Sequence, residues 1–85
     1  VYPYECTEQV TSGARVLAAV LRMAPGDSGV ARARRELATA VAMLERRQRT
    51  DGGIGYWDAE DWTTPGLSAQ AGLALLEARA AGVKV

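Results

Sequence analysis

The sequence predicts an all-α fold of about three helices arranged as helical hairpins. Three observations lead to this prediction. Apolar residues recur every three or four positions in three segments, proline or glycine lies between those segments, and alanine is frequent in each of them. The chain has 85 residues, 48% of them hydrophobic, which is enough for one small core and for at most one domain.

The first predicted helix covers residues 7–23. Thr7 is its predicted N-cap, which places Glu8 and Gln9 in the first turn, where the helix dipole favours a negative charge. Pro25-Gly26 would end the helix. The residues that form its predicted apolar stripe are Val10, Ala14, Leu17, Ala18, Val20 and Leu21.

The second predicted helix starts near Gly29, after a cap formed by Asp27 or Ser28. The residues that mark its amphipathic pattern are Ala31, Arg34, Leu37, Val41, Leu44 and Gln48. The residues expected mostly on its solvated side are Arg32, Arg35, Glu36, Glu45, Arg46 and Arg47. Cations near a helix C-terminus interact favourably with the helix dipole. A solvated charged face accounts for these arginines, so they are assigned no function.

Turn residues and aromatic residues join the second helix to the third. Thr50-Asp51-Gly52-Gly53 is typical of a tight turn, because glycine accepts positive φ and an aspartate side chain can bond the downstream backbone. Tyr56, Trp57 and Trp62 surround an acidic segment, and together they predict an aromatic-packed hairpin loop.

The third predicted helix opens at Thr64-Pro65, a pattern typical of an N-cap followed by proline in the first helical position. Gly82 would end this helix. The residues that form its apolar stripe are Leu67, Ala71, Ala74, Leu75 and Ala78.

The composition argues against several classes of function. Ten basic residues balance ten acidic ones, so the chain has no electrostatic footprint for nucleic acid. With no histidine and one cysteine, it cannot build a nitrogen–sulfur metal site or an intrachain disulfide, and we expect no cofactor. Its start shows no basic region followed by an apolar run, so we expect any targeting segment to lie outside this chain, and no apolar run approaches the ~20 residues of a membrane span.

Cys6 and Gln9 form the candidate reactive pair. They are three residues apart at a helix start, so their side chains can meet on one face, with Cβ atoms roughly 5–6 Å apart. Attack of the Cys6 thiolate on the Gln9 carboxamide, with loss of ammonia, would give an internal thioester that reacts with amines. The alternative is that Cys6 is only a small buried hydrophobic residue.

Neighbouring residues are candidates for supporting roles. Glu8 could orient the Gln9 amide, or it could simply favour the helix N-terminus. Tyr2, Tyr4 and Trp57 could keep water away from the thioester, and an ordinary place in the core is the alternative for each of them.

The segment from Tyr2 to Ser12 resembles the thioester segment of bacterial α2-macroglobulins. The C-x-E-Q core of that segment matches Cys6, Glu8 and Gln9. The residues that resemble the following hairpin of the family's thioester domain are 48–57, Trp62 and 75–82.

The sequence departs from the family pattern at two positions. Thr7 occupies the variable position of the motif, which is glycine in the animal relatives of the family. Glu5 stands where the family usually has glycine. The glutamate side chain restricts the backbone angles and places a charge beside a bond that needs a dry setting.

The resemblance implies that residues 1–85 are the opening three helices of one α/α toroid thioester domain. It also implies a large, periplasmic, membrane-anchored protease inhibitor, not an enzyme, whose anchor lies outside this chain. A protease would cleave its bait region, a conformational change would expose the thioester, and the protease would be captured covalently. The targets would be host or competitor proteases.

The absence of an initiator methionine and the end soon after the third helix favour a fragment of a longer protein. The 85-residue chain alone lacks the remaining helices of a toroid. Without them it cannot close a pocket that excludes water. We therefore expect a free Cys6 thiol in that piece, and self-association through exposed apolar helix faces.

Two other functions match parts of the sequence. Residues 48–57 also resemble the Q-x-x-x-G-x-W repeats of terpene cyclases, which share the α/α toroid, although the acidic clusters that those enzymes use do not occur here. The second alternative is a plain helical interaction module in which Cys6 belongs to the core. That alternative predicts that Cys6→Ser leaves every activity unchanged.

Overall fold

The computed structural model of this protein describes residues 5–23, 26 and 29–85. The described residues form an all-α fold, which confirms the predicted fold class, and they contain no strand. The three helices are α1 (Thr7–Met23), α2 (Val30–Arg46) and α3 (Pro65–Ala80). α1 packs against both other helices, and α2 and α3 touch each other much less.

Small side chains let the three helices approach closely. Leu37 and Leu44 of α2 and Val10 of α1 are the larger residues at the centre of the core. The alanines that are buried around them are Ala14, Ala18, Ala33, Ala40, Ala71, Ala74 and Ala78. The core therefore lies along α1, with one partner helix on each side.

α1 has the predicted bounds but a different cap. The carbonyl of Cys6 accepts the first helical hydrogen bond, from the Val10 N–H at 3.0 Å, so Cys6 is the N-cap. The predicted cap, Thr7, is instead the first helical residue, and its hydroxyl bonds elsewhere. Val20 of the predicted apolar stripe is 44% exposed.

The buried face of α2 differs in part from the predicted pattern. Leu37, Val41 and Leu44 are buried, as expected from the pattern. The members of the pattern that are exposed are Ala31, Arg34 and Gln48. The residues that are buried in their place are Ala33, Ala40 and Met43. Ala31 precedes Leu37 by six residues, which turns it about 120° away from the buried stripe.

The N-cap of α2 is Gly29, which makes no side-chain capping hydrogen bond. This corrects the predicted cap at Asp27 or Ser28, and those two residues lie outside the described part of the chain. The predicted stop at Pro25-Gly26 also includes a residue outside it.

Residues 47–62 form the predicted aromatic hairpin loop. Gly52 has a φ of +92°, and the Asp51 side chain accepts a hydrogen bond from the Gly53 N–H at 2.9 Å. The rings of Tyr56 and Trp62 stack with centroids 4.5 Å apart, and the Tyr56 N–H donates to the Trp62 carbonyl at 2.9 Å. The hairpin loop is thus held both by its tight turn and by its aromatic pair.

α3 begins and ends where the sequence predicts. The Thr64 hydroxyl accepts a hydrogen bond from the Leu67 N–H at 3.1 Å, and Pro65 is the first helical residue. Gly82 has a φ of +93°, as the residue after a helix end often does. The bonds that close the last turn run from Gly82 N–H to the Arg79 carbonyl and from Val83 N–H to the Ala78 carbonyl.

Several large apolar side chains remain on the surface of α1 and α3. They are Val16, Val20, Met23, Leu73 and Leu76. Self-association through such faces stays a prediction. No helix in the described parts of the chain is long and apolar enough to cross a membrane.

Candidate functional site

The structure brings Cys6 and Gln9 into contact at the N-terminus of α1. The Gln9 side-chain oxygen, Oε1, accepts a hydrogen bond from the Cys6 backbone N–H at 3.1 Å. This is the geometry of a capping box, in which the third helical residue reaches back to the N–H of the cap. The Gln9 carboxamide is therefore folded toward Cys6 and does not extend away from the helix.

The two side chains differ in exposure. Cys6 is 7% exposed, whereas Gln9 is on the surface. Burial raises the pKa of the Cys6 thiol, but hydrogen bonds from the Tyr56 hydroxyl and from the Gln9 and Glu8 backbone N–H groups outweigh it, and the net pKa is lowered. The thiolate is the nucleophilic form of cysteine, so this environment favours reactivity.

Tyr56 is a part of this site that the sequence analysis assigned only to the hairpin loop. Hydrogen bonding between its hydroxyl and the Cys6 thiol, together with the thiolate charge, raises the pKa of Tyr56. Its position follows from loop topology, because the hairpin loop turns back onto the start of α1. Sequence spacing carries no signal for a contact between residues so far apart in the chain.

Arg47 is the second residue that the sequence analysis did not place at the site. It is the C-cap of α2 and is only 7% exposed. Its guanidinium donates hydrogen bonds to the Thr7 hydroxyl at 3.2 Å and to the Glu5 carbonyl at 2.8 Å. Arg47 therefore contacts the residues on both sides of Cys6.

The expected position of Arg47 on the solvated side of α2 is wrong. Arg47 follows Met43 by four residues and Leu44 by three, and both of those side chains are buried. Residues at these spacings share a helix face, so the spacing was a signal for burial. Desolvation lowers the pKa of Arg47, and the nearby Cys6 raises it in part.

The hairpin loop fixes the start of α1 through backbone groups. The Thr7 N–H donates to the Tyr56 carbonyl at 2.8 Å, and the Thr7 hydroxyl donates to the Gly55 carbonyl at 2.5 Å. The Gly55 N–H donates in turn to the Arg47 carbonyl at 2.8 Å. A Cβ atom at Gly55 would overlap the Asp58 carbonyl oxygen, so glycine is required here.

The candidate supporting residues occupy different surroundings. Glu8 is exposed beside the reactive pair. Trp57 is 50% exposed and packs edge-on against Tyr56, with centroids 5.4 Å apart, so a shielding role for Trp57 stays a prediction. Tyr2 and Tyr4 lie outside the described residues.

An open groove of about 740 Å³ runs between α1 and α3 and reaches Glu8 in the first turn of α1. The Arg15 guanidinium donates to Glu77 Oε1 at 2.8 Å and to Gln70 Oε1 at 3.0 Å. Thr11 also lines the groove, and its buried hydroxyl has no hydrogen-bond partner within the described residues.

Comparison of the chain with models of protein families, with curated proteins and with solved structures finds no match. The function of the chain is therefore inferred from the chemistry that the Cys6 site can support.

Proposed function

We propose that Cys6 and Gln9 form an internal thioester, and that the full-length protein carrying this chain uses it to capture proteases, as bacterial α2-macroglobulins do. One observation supports this proposal most strongly. The Gln9 carboxamide oxygen lies 3.1 Å from the Cys6 backbone nitrogen, beside a buried thiol of lowered pKa. A nucleophile and an acyl group thus lie within the same helical turn.

Formation of the thioester is a simple acyl exchange. The Cys6 sulfur bonds to the Gln9 side-chain carbonyl carbon, the carbon–nitrogen bond breaks, and the thiol proton leaves with that nitrogen as ammonia. A lysine amine of a protease then attacks the same carbon. A new amide forms, and the Cys6 thiol is released.

Helix capping alone does not require cysteine at this position. Serine, threonine, aspartate and asparagine are the preferred N-cap residues, and each would satisfy the first turn of α1. Cysteine gives a weaker hydrogen-bond acceptor but the only side chain here that can form a thioester. The choice of residue at the cap therefore favours a chemical role.

A protein with such a thioester reacts once and does not turn over. Each capture consumes one thioester and leaves a permanent amide link, so the protein acts as an inhibitor. Its site of action would be the periplasm, against host or competitor proteases.

The test is covalent capture of trypsin by the full-length protein, followed by electrophoresis under denaturing and reducing conditions. We expect a band that contains both proteins for the wild type, and none after treatment with methylamine. Cys6→Ser is the matched control, because serine supplies a capping oxygen in place of the sulfur. Equal capture by Cys6→Ser would overturn the proposal and leave the plain interaction module.

A further inference from the structure

Arg47 carries a buried positive charge that the proposed function does not use. The ion pairs among the described residues are Arg15–Glu77, Arg32–Glu36 and Arg49–Asp51. Arg47 belongs to none of them, and it donates hydrogen bonds to the Thr7 hydroxyl and to the Glu5 backbone carbonyl. A buried charge is costly unless it is compensated, so its retention beside Cys6 needs an explanation.

The position of Arg47 supplies that explanation. Its two acceptors belong to Glu5 and Thr7, the residues on either side of Cys6. The same Thr7 hydroxyl also donates to the Gly55 carbonyl. Arg47 thus fixes the backbone around Cys6 and brings a permanent positive charge to it, since a guanidinium remains protonated in proteins.

We propose, as an extension of the thioester proposal above, that Arg47 is a positioning residue that makes Cys6 a good leaving group. When an amine attacks the Gln9 acyl carbon, the carbon–sulfur bond breaks and its electron pair goes to the Cys6 sulfur. The proton from the amine nitrogen goes to solvent. The Arg47 charge stabilises the thiolate that forms, and the attack becomes faster.

Several groups change the stability of the Cys6 thiolate, and some of them favour it while others oppose it. The titratable or charged groups around Cys6 and Arg47 are Glu5, Glu8, Arg46, Tyr56 and Asp58. Tyr56 hydrogen bonding stabilises the thiolate, whereas the Glu8 charge opposes it. Among the arginines, Arg46 is exposed and Arg47 is buried, so the two adjacent residues form a matched pair for substitution.

The experiment compares Arg47→Met, Arg47→Lys and the control Arg46→Met in the full-length protein. The rate of thiol release by methylamine is measured for each protein. The pH dependence of iodoacetamide alkylation then gives the pKa of the released thiol. We expect Arg47→Met to raise that pKa and to slow release by about three- to tenfold, because a thiol of higher pKa leaves more slowly.

We expect Arg47→Lys to keep most of the rate, and Arg46→Met to match the wild type. Tyr56→Phe provides a second variant, which should also raise the thiol pKa, and circular dichroism verifies that each variant is folded. If the wild type contains the thioester and Arg47→Met releases thiol at the same rate as the wild type, the role of Arg47 alone is overturned. A wild type that releases no thiol would overturn both proposals.

Discussion

The side-chain oxygen of Gln9 accepts a hydrogen bond from the Cys6 backbone N–H at 3.1 Å. This contact completes the first turn of α1 and also folds the Gln9 carboxamide toward Cys6. The two consequences can be separated by mutation. Capping needs an acceptor atom at position 6, whereas a thioester needs sulfur at that position.

Substitutions at Cys6 measure its capping role. Cys6→Ala removes the side-chain acceptor, so we expect it to lower the free energy of unfolding by about 0.5–2 kcal/mol. Cys6→Ser restores an acceptor and should lose less. Urea unfolding followed by circular dichroism gives both values, and equal stability of Cys6→Ala and Cys6→Ser would show that position 6 does not cap α1.

Thr7 links α1 to both the hairpin loop and Arg47. Its hydroxyl donates to the Gly55 carbonyl and accepts from Arg47. Thr7→Val keeps the shape but leaves both partners without this bond, so we expect a loss of about 1–3 kcal/mol of stability. Thr7→Ser keeps the hydroxyl and serves as the control. A Thr7→Val variant that unfolds at the same urea concentration as the wild type would contradict this description of the site.

Gly55 allows the hairpin loop to close against Asp58. Gly55→Ala would force the two apart, and overpacking of this kind typically costs about 1–3 kcal/mol. Gly72→Ala is the control, because a Cβ there meets nothing within 4 Å and alanine is the better helix former by about 0.8–1 kcal/mol. The midpoint temperature of thermal unfolding should therefore fall for Gly55→Ala and rise for Gly72→Ala. A shift of both midpoints in the same direction would refute the prediction.

The ion pair between Arg15 and Glu77 connects α1 to α3 and predicts a pH effect. Hydrogen bonding by Arg15 lowers the pKa of Glu77 from its ordinary value of 4.5. A lowered carboxyl pKa gives stability that is present above pH 4.5 and is lost as the pH falls through the folded-state pKa. We expect Glu77→Gln to be less stable than the wild type at neutral pH.

The difference between the wild type and Glu77→Gln should disappear in acid, where Glu77 is protonated. Urea unfolding at a series of pH values checks this. Glu36→Gln is the control, because Glu36 pairs with Arg32 within one helix and not across two helices. A difference that stays constant down to low pH would contradict the assigned role of the ion pair.

Local signals in the sequence predicted the helix ends well where short-range chemistry decides them. Thr64-Pro65 and Gly82 bound α3 as expected, because capping and positive φ depend on adjacent residues. Cys6 and Gln9 also meet within a single turn, so their spacing was sufficient to predict their proximity.

The contacts that complete the site depend on long-range packing, and spacing along the sequence does not encode them. Tyr56 reaches Cys6 only because the hairpin loop returns to α1. Arg47 is buried because α2 ends against Thr7, which overrides the preference of arginine for solvent. The pattern assigned to α2 failed in part, since Ala31 and Arg34 lie outside its buried face and Gln48 follows the end of the helix.

The intact mass of the full-length protein, before and after methylamine, tests the central claim most directly. The account predicts that the untreated wild type is lighter than its encoded mass by one ammonia and has no titratable Cys6 thiol. After treatment it should gain the mass of one methylamine and release one thiol, whereas Cys6→Ser shows its full encoded mass throughout. An untreated wild type with its full encoded mass, a free Cys6 thiol and no uptake of methylamine would contradict the thioester.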